Sequence, residues 1–140
     1  MLVESFSGIR GKYPEDFNQD IAAKYASALP FSTIVIGMDS RPSGPSIKQA
    51  IIEHFNGTVI DVGVLPTPMI EHAVRHFSAD GGIIITASHN EPDNNGMKIL
   101  DSTGAIMQAD QMQTLIQANK TAIPNQARLT YAHQEALNAY

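Results

Sequence analysis

Apolar residues fall along this chain in short blocks with two different periods. Thr33–Met38, Thr58–Val64 and residues 82–86 are runs of branched apolar residues bounded by turn or polar residues, which predicts three β-strands. The first and third runs have no polar face, as in central strands covered by helices on both sides. Residues 97–100 predict a fourth, weaker strand. Helical spacing fills the intervals. Ile21, Tyr25 and Leu29 share one face of 18–29, and Ile47, Ile51 and Phe55 share one face of 43–55. Residues 67–77 predict a helix with Thr67 as N-cap and Pro68 in the first helical position. Residues 110–119 predict another, with Met112, Leu115 and Ile116 turned inward.

This alternation predicts an α/β fold, a three-layer α/β/α sandwich around a mixed, mainly parallel four-stranded sheet. The link from 87 to 96 is too short for a helical crossover, so the strands it joins should form an antiparallel hairpin. Residues 121–140 read differently. A Pro124-Asn125-Gln126 turn and a short Leu129-Thr130-Tyr131 run resemble an exit, and the helical pattern that starts at His133 stops before it can bury a face. The expected division is a domain over 1–124 and an exit segment over 125–140, leading toward a second domain.

Composition narrows the chemistry. At 140 residues the chain is the size of one domain. With 43% hydrophobic and 16% charged residues, it is composed to fold around a core. It has no cysteine, which excludes disulfides, thiolate metal sites and thiol catalysis. The net charge is −5, and the nine Lys and Arg residues are scattered, which argues against a nucleic-acid partner. No apolar run approaches the roughly 20 residues that span a bilayer, and the N-terminus lacks the pattern of a secretory signal, so no membrane partner and a cytoplasmic location are expected.

Four polar segments sit where the predicted elements end, the usual place for sites in α/β folds. They are Ser7-Gly8-Ile9-Arg10-Gly11, Gly37-Met38-Asp39-Ser40-Arg41, Gly63-Val64-Leu65-Pro66-Thr67-Pro68, and Thr86-Ala87-Ser88-His89-Asn90 running on to Asn95-Gly96-Met97-Lys98. The last offers a hydroxyl, an imidazole, an amide and an ammonium directly after a buried strand. A hydroxyl beside a cation suits phosphoryl transfer, because the cation offsets the charge on the oxygens. The competing reading is a polar hairpin loop with no chemistry.

The loop Thr86-Ala87-Ser88-His89-Asn90 with Asn95-Gly96-Met97-Lys98 resembles the active-site loop of the α-D-phosphohexomutases. The other three segments resemble that family's motifs in the same order, and together they cover about residues 6 to 105. The resemblance implies that Ser88 is the phosphorylated serine, exchanging its phosphoryl group with a hexose phosphate through a hexose 1,6-bisphosphate intermediate. It implies a phosphate-facing role for Arg10 and Lys98. Arg10 is favoured as electrostatic clamp because arginine stays charged, and Lys98 as acid/base because an ammonium can release its proton. His89 completes the catalytic group. Asn90, Arg41, Gly11 and Ser7 would bind the substrate or its phosphate, with Arg41 contacting the loop directly or supporting it through Asp39. The family's Mg²⁺ would be held by a phosphoserine oxygen of Ser88, with the other ligands on an Asp-Gly-Asp-Gly-Asp loop of a second domain that is not in this sequence.

The sequence departs from the family pattern at Glu91, usually proline, and at Ser5-Phe6, usually Gly-Thr. Its length matches a first domain alone, so this stretch by itself is expected to be inactive. Its partners would be the remaining domains of one parent chain and a hexose phosphate. The alternative reading is a non-catalytic module that binds phosphate or a sugar phosphate. Four smaller features read as structural. His72 and His76 lie four apart without a third ligand and read as solvated helix surface. Ser88 and His89 are chain neighbours that point apart, unsuited to a hydrolase dyad. Asp39 and Arg41 alone could be only a structural ion pair. The methionines read as core filler.

Overall fold

The computed structural model describes all residues 1–140. The apolar runs become the centre of one sheet. Its strands are β1 (Val3–Ser5), β2 (Gly8–Lys12), β3 (Thr33–Met38), β4 (Thr58–Val64), β5 (Gly81–Ile85), β6 (Asn94–Leu100) and β7 (Arg128–Tyr131), in the order β1-β2-β6-β5-β3-β4-β7. The sheet therefore has seven strands, not four. Three neighbouring pairs are parallel (β3 with β4, β3 with β5, β4 with β7) and three antiparallel (β1 with β2, β2 with β6, β5 with β6). The expected hairpin is the β5–β6 pair, with Ile83 opposite Ile99.

Helices α1 (Gln19–Ala28), α2 (Gly44–Ile52), α3 (Thr67–His76), α4 (Ala109–Gln117) and α5 (His133–Ala139) complete the layers. Alternation along each strand assigns the faces. Ile34, Ile36, Ile83 and Ile85 join one cluster with Tyr25 of α1, Ile47 and Ile51 of α2, and Met112 and Leu115 of α4. Val35, Val62 and Ile84 join a second cluster with Ile70 and Val74 of α3 and Ala136 of α5. Both faces of the central strands are thus covered, which is why these runs carry no polar residue. Met97, Met107 and Met112 are buried, as core filler should be.

Three local readings change. Pro66, not Thr67, is the N-cap of α3, and no side chain caps that end. Asn18 does cap α1, its side chain accepting from the Ile21 amide at 3.1 Å. Residues 125–140, expected as an exit segment, are built into the same body. β7 lies parallel beside β4, and Ala136 of α5 is fully buried. α5 also packs on the histidine face of α3. His76 meets Glu135 at 2.9 Å and stays exposed, while the half-buried His72 ring stands edge-on to Tyr140, so this surface is solvated only in part. No group of three potential metal ligands includes these histidines.

On the other flank Tyr25 donates its hydroxyl to Glu4 at 2.6 Å. Burial first, and then the carboxylate it bonds, push its pKa above the ordinary 10.0. The folded chain therefore keeps a proton that the unfolded chain releases above pH 10. That stabilisation is complete below pH 10 and declines as the pH rises past it. Tyr25→Phe should lose about 1 kcal/mol at neutral pH, and should show a shallower fall in stability between pH 9.5 and 11.5. Urea midpoints at the two ends of that range check it.

Candidate active site

The carboxyl ends of β3, β4 and β5 open at one edge of the sheet, and the segment after each strand carries polar groups there: Asp39 after β3, Leu65 to Thr67 after β4, Thr86 to Ser88 after β5. β6 begins at this edge, because it runs antiparallel to β5. β2 pairs with β6 and sets Arg10 directly opposite Gly96 and Gly11 opposite Asn95. Four segments far apart in sequence thus meet at one place for topological reasons.

A cleft of about 430 Å³ lies between them, lined by Asp39, Thr67, Thr86, Ser88, His89 and Lys98. A narrow crevice on the β2 side of the same loop joins Ser7 and Arg10 to Ser88 and Lys98. The structure therefore brings Ser88, Lys98, Arg10, His89 and Ser7 together. Gly11, Asn90 and Arg41 line neither space. A larger cleft, about 480 Å³, lies at the opposite sheet edge around Phe31, Asp80 and Met107, and none of the candidate residues reaches it.

Ser88 is exposed and has a left-handed backbone, φ 57. A non-glycine residue adopts this conformation only where its surroundings hold it. The hold is visible. The Ser88 amide donates to the Thr86 hydroxyl at 3.0 Å, and that hydroxyl donates to Asp39 at 2.7 Å. The Asn90 amide returns to the Ala87 carbonyl at 3.1 Å, closing a tight turn around Ser88 and His89, and the Asn94 amide closes a second turn onto Glu91 at 2.9 Å. Asn95, fully buried, donates from its side-chain amide to Ser43 at 2.7 Å and ties the start of β6 to the start of α2. Thr86, Asn95 and Ser43 received no role from the sequence. Thr86 and Asn95 stand inside the polar segments singled out above, and the one signal for Ser43 is its place at the start of a predicted helix.

The electrostatics favour an anion. None of the ion pairs of the chain engages Arg10 or Lys98, although both are half-buried. Asp39, the one carboxylate of the cleft, is 3.2 Å from the Arg41 guanidinium and also accepts from Thr86. Two cations therefore stand near the Ser88 hydroxyl without a counter-ion. The same donor set fits a magnesium ion poorly, since hard cations want several carboxylate or phosphate oxygens. The single carboxylate is already engaged, and no cluster of three acidic or imidazole ligands exists in the chain. These residues would supply at most the Ser88 side of such a site.

Fold and cleft together define a class: a three-layer α/β/α domain with two unpaired cations around a serine at the carboxyl edge of its parallel strands. Residues 4–126 match the family description phosphoglucomutase/phosphomannomutase, alpha/beta/alpha domain I. A Thermococcus kodakarensis phosphoglucomutase/phosphomannomutase is 42% identical over 111 residues, which is 69% of this chain and 24% of that protein. A Thermococcus gammatolerans protein named "Probable phosphoglucosamine mutase" is 37% identical over 129 residues, 84% of this chain and 29% of its own length. The crystal structure of a Burkholderia thailandensis phosphoglucomutase/phosphomannomutase family protein superposes with a TM-score of 0.72 at 26% identity, over 94% of this chain and 33% of that one. The chain belongs to the phosphoglucomutase/phosphomannomutase family, as its domain I, and spans about a quarter of the length of these curated relatives.

Proposed function

We propose that this chain is the phosphoryl-carrying domain of a phosphohexomutase. The observation that carries the reading is the Ser88 hydroxyl, held exposed on a left-handed backbone beside the unpaired Arg10 and Lys98. In the proposed reaction a hydroxyl of a hexose monophosphate attacks the phosphorus of phosphorylated Ser88. The bond from phosphorus to the sugar oxygen forms, the bond to Ser88 Oγ breaks, and the proton given up by the sugar hydroxyl ends on Ser88 Oγ. The second phosphoryl group of the resulting hexose 1,6-bisphosphate then returns to Ser88 Oγ by the reverse step. Overall the phosphoryl group changes position on the sugar, which is isomerisation.

A phosphoserine carries close to two negative charges near neutral pH. Arg10 stays charged and can fork onto its oxygens. Lys98 neutralises as well, and its Nζ is the group suited to carry the proton. His89 lines the approach to Ser88. A magnesium ion, when bound through the phosphoserine, would add further charge neutralisation. Its remaining ligands and the contacts that select the sugar would come from further domains of the parent chain.

Incubating the full-length parent chain with hexose 1,6-bisphosphate should add one phosphate mass, mapped by peptide sequencing to Ser88. A protein that binds the bisphosphate but never gains that mass would instead be a binding module without the reaction. The division between the two cations is testable too. Lys98→Arg keeps the charge but not the exchangeable proton, so turnover should fall about 100-fold while the phosphorylated state of Ser88 persists. Wild-type turnover in Lys98→Arg would remove Lys98 from the acid/base role.

A further inference from the structure

The geometry points to Arg41 as a positioning residue that clamps the Ser88 loop from behind and never touches the substrate. This assignment rests on the phosphoryl-carrier reading for its functional consequence. A guanidinium has five N–H donors, and Arg41 uses all five within the chain. Nε donates to Asp39 at 3.2 Å. Nη1 donates to the carbonyls of Glu91 at 2.6 Å and Asn94 at 3.0 Å. Nη2 donates to the carbonyls of Ser88 at 3.0 Å and Asn90 at 3.1 Å. The side chain is only 12% exposed. No donor remains for a phosphate, and Arg41 lines neither space around Ser88.

The pattern has a mechanical meaning. The four carbonyls belong to the two consecutive turns that make up the loop, and one planar, rigid group gathers them. Asp39 anchors that group and, through Thr86, also holds the Ser88 amide. The loop is thus fixed from its carbonyl side by Arg41 and from its amide side by Thr86, with one carboxylate serving both. There is an electrostatic consequence as well. A trans peptide points its N–H opposite to its C=O. Drawing the Ser88 carbonyl onto Arg41 therefore turns the His89 N–H away from the guanidinium. No backbone acceptor takes that N–H, so it stays available to a phosphoryl oxygen on Ser88.

Lysine cannot replace this group, since an ammonium has three donors on one atom. The test compares Arg41→Lys, Arg41→Ala and Asp39→Asn with the wild type in the full-length parent chain. Amide hydrogen exchange over 86–95 should accelerate at least tenfold in all three, while exchange in the central strands stays the same. Phosphoryl transfer through Ser88 should lose at least tenfold in kcat, with KM for the hexose phosphate within about twofold. Unchanged exchange in the loop would overturn the clamp, whatever the protein catalyses. A raised KM with an unaltered kcat would also overturn it, because that marks a substrate ligand. Faster loop exchange with an intact kcat would leave a purely structural contact and sink the positioning role. If wild-type Ser88 never takes up a phosphoryl group, the phosphoryl-carrier reading fails and the positioning role falls with it. The exchange rates then still decide the contact itself.

Discussion

Ser88→Ala should abolish phosphoryl transfer while leaving the fold intact. The side chain is exposed, and its Oγ has no hydrogen-bond partner in the chain; what holds the residue is its backbone amide on Thr86. Removing the oxygen therefore deletes the acceptor without deleting the support. An alanine in a left-handed conformation costs about 1 kcal/mol more than a glycine, but the serine already bears nearly that cost, so melting should shift by only a degree or two. Activity should behave differently. A covalent carrier has no substitute, and the expected loss is more than 1,000-fold, with no phosphate mass on the loop after exposure to hexose 1,6-bisphosphate. Turnover within tenfold of wild type would remove the phosphoserine from the mechanism. Ser88→Gly is a useful companion, because it relaxes the left-handed backbone. It should be as inactive as Ser88→Ala and no less stable, which separates the role of the hydroxyl from that of the loop conformation.

Much of this architecture could be read in the sequence, and the parts that could not have common physical causes. The central strands were visible because burial on both faces removes polar residues from them. β1, β2 and β7 were not. They are short edge-side strands with partly exposed patterns, and glycines at 8 and 11 break the alternation of β2. That omission matters for the site, since Arg10 was read as belonging to a polar segment at an element end and in fact sits in the middle of a strand. The cluster of Ser88, Lys98, Arg10 and His89 was legible as motifs. The reason those motifs meet, the antiparallel pairing of β2 on β6, was not. Arg41 illustrates the same limit from the other side. Sequence proximity suggested its pairing with Asp39, but its grip on four carbonyls depends on how a loop some fifty residues later is folded. The helical pattern from His133 is legible, but seven residues have too little periodicity to show a buried face, and the burial of α5 is visible only through α3 and β4.

Gly96→Ala should be among the most destabilising single substitutions, and it should damage the site through Arg10. Gly96 lies directly opposite Arg10 in the β2–β6 ladder. A Cβ there would collide with the Ile9 carbonyl and would stand 2.7 Å from the Arg10 Cβ. The nearest atoms belong to the β2 backbone and its first side-chain carbon, which cannot swing aside, so β2 must move away from β6. Overpacking of this kind costs about 3 kcal/mol, a large share of the roughly 5–15 kcal/mol that holds a domain folded. The damage should be local in its first effect. β2 carries Arg10, and only β1 lies beyond it in the sheet, so displacement of β2 withdraws one of the two cations from Ser88 while leaving the β3–β4–β5 core paired. Three results are expected. Melting should fall by roughly 10 °C or more, hydrogen exchange should rise first in 8–12, and loading of Ser88 should weaken even at temperatures where the chain remains folded. A double substitution tests the cause. Arg10→Gly in the Gly96→Ala background removes one of the two colliding partners, so the pair should be less destabilised than the sum of the single changes. Strict additivity would place the whole clash on the Ile9 carbonyl, which Arg10→Gly leaves where it is. The Arg10 Cβ lies within 2.7 Å of the position the new Cβ would take, so part of the strain should lift when it is removed.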